Sequence, residues 1–412
     1  MEFKYFSFYK SISNFATNLV GIFLPLLIYE NTQKFYLAVI FYIGQYLFNI
    51  LFSAMLKKYI YSKPQMLLLI RIIPFVLYSV CIMLLEINVF IFAIPLCLFY
   101  SLNVAMSAPP EEIILNYSSE ENYSEHLGIS DFLTYLFACL SVVAGGFILD
   151  NLNPITLTII SSSLYAISLI PLIIFYIKNK NNSTFNQELT TNAVEQDKNI
   201  ESKNKARKSL ILKYSIILGL TFCIDACYAL VSLYVYIKFD LFTISAIIYG
   251  LSDFLYGISS LFVGKWHEKK DLSLFAKLTA FVCGILIIFI PFINNQIVLM
   301  LIICVLSILE PLLIVYLSDN MIQKTRILGV SNSALFYYTN SFWVTTTICL
   351  ITGISGTLIP SFILSGVGTF TVGTIIKKHE EETNNIVINY LDQVQIINKK
   401  RKRKRKPTAL AK

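Results

Sequence analysis

The sequence has 412 residues, of which 56% are hydrophobic and 14% charged, against about 25% charged in soluble domains. That balance excludes an ordinary soluble globular protein. The formal charge of +8 would suit nucleic acid in a soluble chain, but the basic residues here flank apolar runs, so membrane topology accounts for them and no nucleic acid is expected.

A bilayer-crossing helix needs about 20 apolar residues. Twelve such runs are predicted, at 9–28, 35–55, 65–85, 87–107, 130–149, 155–177, 214–236, 242–264, 274–293, 296–318, 331–352 and 356–376. The start, MEFKYFSFYK, lacks a cleavage pattern, so the first run is expected to stay in the mature chain. Between the sixth and seventh runs lies Lys178–Lys213, polar and rich in Asn, Lys and Glu. Such a segment cannot bury enough apolar surface to fold alone and reads as a disordered or loosely helical linker. The predicted organisation is therefore a six-helix bundle at 1–177, a cytosolic linker at 178–213, a second six-helix bundle at 214–376 and a basic tail at 377–412. The fold class is all-α membrane protein.

Lysine and arginine set the orientation. With the amino terminus inside, 30 of the 33 basic residues fall in inner segments, Lys34 and Lys238 fall outside, and Arg71 lies within a span. A multi-pass cell-membrane protein with both termini cytosolic follows. The eight cysteines all sit in apolar runs and offer neither a metal framework nor a disulfide scaffold. No phosphate-binding glycine loop or nucleophile–base pair is present, so no cofactor, metal or enzymatic activity is expected.

Two short basic loops echo each other. After the second run Ser53 is followed by Lys57 and Lys58; after the eighth, Gly264 is followed at the same offsets by Glu268 and Lys269. The chain thus resembles a major facilitator superfamily transporter, whose six-plus-six layout carries a glycine, three residues, an acid and a base in these loops. GKWHEKKD, Gly264 to Asp271, fits that signature well, whereas SAMLKKYIYSK departs from it with Ser53 and Lys57. In the fifth run Gly145 and Gly146 keep half of the family's antiporter motif, with Ser141 and Val142 in place of its Gly-Pro. Glu268 and Lys269 are assigned a structural role.

Charges inside hydrocarbon are costly, so each is a functional candidate. Asp225, Asp253, Glu310 and Arg71 lie well inside spans. The resemblance places the seventh and tenth helices around a central cavity, so Asp225 and Glu310 face it at similar depth, opposite the neutral Asn18 and Asn103 of the amino half. Multidrug efflux pumps of Gram-positive bacteria resemble this arrangement, which makes Asp225, Glu310 and, less centrally, Asp253 the expected proton-coupling residues. The alternative is that each acid only hydrogen-bonds a neighbouring helix. Arg71 is expected to be a structural clamp that snorkels or pairs with Glu111, Glu112 or Asp131. Pro311 should loosen the tenth helix beside Glu310. Asn14, Asn18, Gln45, Asn49, Asn103, Tyr228, Tyr256, Tyr337, Asn340 and Trp343 are candidate substrate contacts.

The expected function is secondary transport by alternating access, with proton-coupled export of small amphipathic or cationic molecules. Two alternatives stand beside it: nutrient uptake by proton symport, and a non-transporting receptor or lipid-handling protein of the same fold. The expected partners are a small-molecule substrate, protons and the bilayer, with anionic lipid at the tail run KKRKRKRK. A monomer is expected.

Overall fold

Proline and back-bonding hydroxyls decide where the long apolar runs bend. The computed structural model describes residues 3–60, 123–179, 200–267, 272–327 and 333–405. Within the first run, α1 (Phe3–Gly21) and α2 (Leu24–Thr32) are separate helices. Pro25 has no N–H to offer the Gly21 carbonyl, so the ladder breaks there, and Phe23 N–H turns to the Val20 carbonyl at 3.1 Å. The second run is α3 (Phe35–Ile60); the fifth and sixth are α4 (Tyr123–Asn151) and α5 (Pro154–Asn179).

The seventh run holds α6 (Ile200–Thr221) and α7 (Cys223–Phe239). The interruption at Phe222 is slight, since its N–H still reaches the Leu218 carbonyl at 2.8 Å. Thr221 contributes by bonding back to the Ile217 carbonyl at 2.8 Å, a habit that bends helices. Then come α8 (Phe242–His267), α9 (Ser273–Phe289), α10 (Gln296–Ile327), α11 (Ser333–Ser355) and α12 (Ile359–Arg405). Among the described residues eight helical stretches are apolar and long enough to cross a membrane, and α3 and α11 occupy the second and eleventh predicted positions. The third and fourth runs, 65–85 and 87–107, lie outside the described residues.

Large apolar side chains face outward as well as into the core. On α9, Leu274, Phe275, Leu278, Val282, Ile285 and Phe289 are exposed, while Ala276, Thr279, Ala280, Cys283 and Gly284 are buried. Large apolar side chains facing out and small ones facing in are what a hydrocarbon solvent selects, because helix packing there depends on close backbone approach. Gly284 and Gly366 show why. A Cβ on Gly284 would lie 2.7 Å from the Gly366 carbonyl oxygen, so α9 and α12 meet only without side chains.

α1 packs on α4 and α5 in the amino half; α12 packs on α6, α7 and α9 in the carboxyl half. Among the described residues two seams join the halves, α3 against α11 and α4 against α8. The second is tight. A Cβ on Gly146 would sit 2.4 Å from the Ala246 Cβ, and one on Gly250 would sit 3.1 Å from the Cys139 carbonyl oxygen. Gly146, singled out in the sequence, therefore serves the seam between halves. At the end away from the amino terminus the seam is sealed by Asp150, which accepts from the Thr243 N–H at 2.8 Å and caps α8. Tyr42 and Ser232 share a hydrogen bond at 3.2 Å across the same end, and Phe23 meets Phe242 edge-on.

At the opposite end α6 and α12 run past the apolar spans as a packed pair. α12 has 47 residues, about 70 Å at 1.5 Å per residue, more than twice a hydrocarbon core of about 30 Å. Residues 200–213, assigned from sequence to the linker, are the first turns of α6, and 377–405, assigned to the tail, continue α12 without a break. Their contact has polar chemistry: Lys213 pairs with Glu382, Tyr316 of α10 donates to Glu380 at 2.7 Å, and buried Lys324 donates to Thr383 at 2.8 Å. Burial holds the Lys324 ammonium below the ordinary lysine value, with Glu380 opposing the shift. A cavity of about 10 Å³ beside His379 and Lys324 has room for one water.

Candidate functional site

Residues three apart share a helix face, and two such pairs meet here. Asp225 and Tyr228 lie one turn apart on α7; Ser307 and Glu310 lie one turn apart on α10. The Glu310 carboxyl is in hydrogen-bond contact with both Asp225 and Tyr228. Tyr228 in turn shares a hydrogen bond with Ser307 at 3.0 Å. Glu310 is only 3% exposed, so water does not solvate this contact. Two carboxyl groups can touch in this way only if a proton lies between them, since two ionised carboxylates are acceptors alone.

Ser307 extends the cluster to a third helix. Its hydroxyl lies 2.6 Å from the Ser252 hydroxyl on α8 and donates to the Ile303 carbonyl at 2.8 Å. Pro311 cannot donate to the Ser307 carbonyl, as anticipated for a proline within a helix, yet α10 runs on from Gln296 to Ile327. The next carbonyl, Ile308, accepts from the Ser259 hydroxyl of α8 at 2.6 Å, so α8 braces α10 in the turn that precedes the proline. Asp253 is half-buried; its charge reaches both Glu310 and Cys139 of α4, which places it at the seam between halves.

The other candidate contacts whose side chains are described are Asn14, Asn18, Tyr256 and Trp343. Asn14 and Asn18 are half-buried on α1. Tyr256 stacks at a tilt on Tyr135 of α4, with centroids 4.5 Å apart, and so contributes to the seam. Trp343 is 53% exposed. Asn103, Arg71, Glu111, Glu112, Glu268 and Lys269 lie outside the described residues, and Gln45, Asn49, Asp131, Tyr337 and Asn340 lie on helices whose side chains at those positions are not described. Ser307 and Ser252 were missed in the sequence. The spacing that could have found Ser307 is its position three residues before Glu310.

The Major Facilitator Superfamily family model matches residues 6–338. The chain belongs to that superfamily. No curated protein matches the sequence. Among solved structures, a variant of the E. coli fucose:proton symporter FucP is similar with a TM-score of 0.51 and 14% identity, over 92% of this chain and 98% of that one. The FucP transporter in its outward conformation gives a TM-score of 0.54 at 14% identity, over the same shares. These likenesses support the facilitator fold read from the sequence. As a facilitator-superfamily member the chain is a multi-pass membrane protein of a secondary-transporter family.

Proposed function

We propose that this facilitator protein couples proton movement to the export of small amphipathic or cationic molecules, by alternating access at a site near the bilayer midplane. The observation that carries the reading is the contact of Glu310 with Asp225. A carboxyl pair that shares a proton within a buried site can take one up from one side and release it to the other. The sequence supports a cationic cargo, because the spans that hold Asp225, Asp253 and Glu310 contain no lysine or arginine. An embedded negative site with no built-in counter-charge is matched by a cation or by protons.

The test is transport of fluorescent organic cations into inside-out vesicles with an imposed pH gradient. Export by antiport predicts uptake into vesicles that are acidic inside, and loss of that uptake when the gradient is collapsed. Accumulation only under the opposite gradient would identify symport. Binding without gradient-dependent movement would identify a receptor-like protein and defeat the proposal.

A further inference from the structure

The hydrogen bonds around Ser307 have a proton count that depends on Glu310. Five contacts form one connected chain: Asp225 to Glu310, Glu310 to Tyr228, Tyr228 to Ser307, Ser252 to Ser307, and Ser307 to the Ile303 carbonyl. Each needs one hydrogen. Tyr228, Ser252 and Ser307 supply one each. The remaining two must come from the carboxyl pair. With both protonated, Asp225 donates to Glu310, Glu310 to Tyr228, Tyr228 and Ser252 to Ser307, and Ser307 to Ile303. Every donor is then used, and Ser307 has both lone pairs filled.

We propose that Ser307 is a positioning residue through which the protonation of the Asp225–Glu310 pair sets the bonding of α10 to itself and to α7, an inference that rests on the coupling role proposed above. When the pair gives up one proton to solvent, four hydrogens remain for five contacts and one contact opens. The carboxylate so formed draws the Tyr228 hydrogen toward itself, since charge-assisted bonds are the stronger ones. Ser307 must then turn its own hydrogen from Ile303 to Tyr228 or lose the Tyr228 contact. The first change costs α10 its Ser307–Ile303 bond, the second its contact with Tyr228 of α7, and Ser252 of α8 keeps its bond to Ser307 in both. Among the described residues, the groups that bear on Glu310 are Asp225, Cys227 and Tyr228 from α7, Asp253 from α8 and Cys283 from α9, with Ser307 one turn away on its own helix. The thiols are weak donors and acceptors and do not replace the hydroxyls.

The experiment is thermal unfolding of the purified full-length protein in lipid nanodiscs, from mildly acidic to mildly alkaline buffer, with no transport readout. Glu310→Gln keeps an N–H donor for Tyr228 but cannot titrate, so the part of the wild-type pH response that it removes belongs to Glu310. Ser307→Ala and Tyr228→Phe are expected to lose most of that part, and Ser307→Thr, which keeps the hydroxyl, is expected to restore it. If Ser307→Ala and Tyr228→Phe lower the transition equally at every pH, the two residues are only structural and the inference is overturned while the coupling reading stands. If Glu310→Gln leaves the whole response in place, Glu310 is not the titrating group and both readings fall. Should Ser307→Ala not fold, Tyr228→Phe decides the question, since it keeps the ring and removes the same link.

Discussion

Replacing Glu310 with glutamine is the most informative single perturbation. The substitution keeps size and a hydrogen-bonding head at a position 3% exposed, but removes the exchangeable proton. In the described state Glu310 and Asp225 touch, so at least one proton stays in the pair, and a cycle that preserves the contact exchanges a single proton. One proton moving down one pH unit releases about 1.4 kcal/mol, a tenfold ratio at equilibrium. The proposal therefore predicts that accumulation of a neutral or electrically compensated cargo in vesicles rises about tenfold per imposed pH unit. Glu310→Gln and Asp225→Asn should each bring that slope to zero while leaving exchange of labelled for unlabelled cargo in place. Asp253→Asn, whose side chain lies at the seam, should reduce the slope less. The assay is steady-state accumulation at several imposed gradients, read with a pH-insensitive label. A wild-type slope retained in the Asp225→Asn, Glu310→Gln double variant would refute the mechanism.

Four further expectations concern the ends of the molecule. Thr383→Val removes the acceptor of buried Lys324 and should cost about 1.5–3 kcal/mol, as for a hydrogen bond to a charged group. A lysine held down in the folded state weakens folding while it is charged, so that penalty should shrink as pH climbs toward 10.5; a cost independent of pH would contradict it in thermal unfolding. In a cysteine-free background, Ser202→Cys on α6 should resist an impermeant thiol reagent in intact cells and react in inside-out vesicles, and ready labelling of intact cells would reverse the orientation. A chain ending at Asp392 keeps Glu380, Glu382 and Thr383 against Lys213, Tyr316 and Lys324, so it should retain stability and transport. In full-length protein the segment beyond Asp392 should be protected from protease in anionic but not neutral liposomes, at about 1 kcal/mol of attraction per basic residue; equal cleavage in both would remove lipid contact from the account.

The tail and the linker show where hydrophilic composition stops being informative. Residues 200–213 are polar enough to look like a linker, and 377–392 read as part of the basic tail. Neither stretch reveals that the two extend neighbouring spans and pack together, with Leu210 and Val387 buried and Lys213 joined to Glu382. Hydrophilic composition reports what a segment cannot do alone. It is silent about a partner more than 160 residues away, as the separation of Lys213 from Glu382 illustrates.

By itself the sequence determined the membrane class, the order of the apolar runs and the acids within them. The cost of polar backbone and charge in hydrocarbon acts locally along the chain and leaves its mark in hydropathy. It also supplied the resemblance in the loop after the eighth run and in Gly145–Gly146. Only the tertiary structure decided which side of each helix faces which neighbour. A helix surrounded by lipid carries large apolar residues on its outer face as well as on its core face, so no amphipathic stripe marks the inward side. For that reason Asp225 and Glu310 could be named from sequence, whereas the hydroxyl chain through Tyr228, Ser307 and Ser252 required the azimuths of three helices, fixed by the glycine-permitted approach of α8 to α4 and by the bracing of α10 at Pro311.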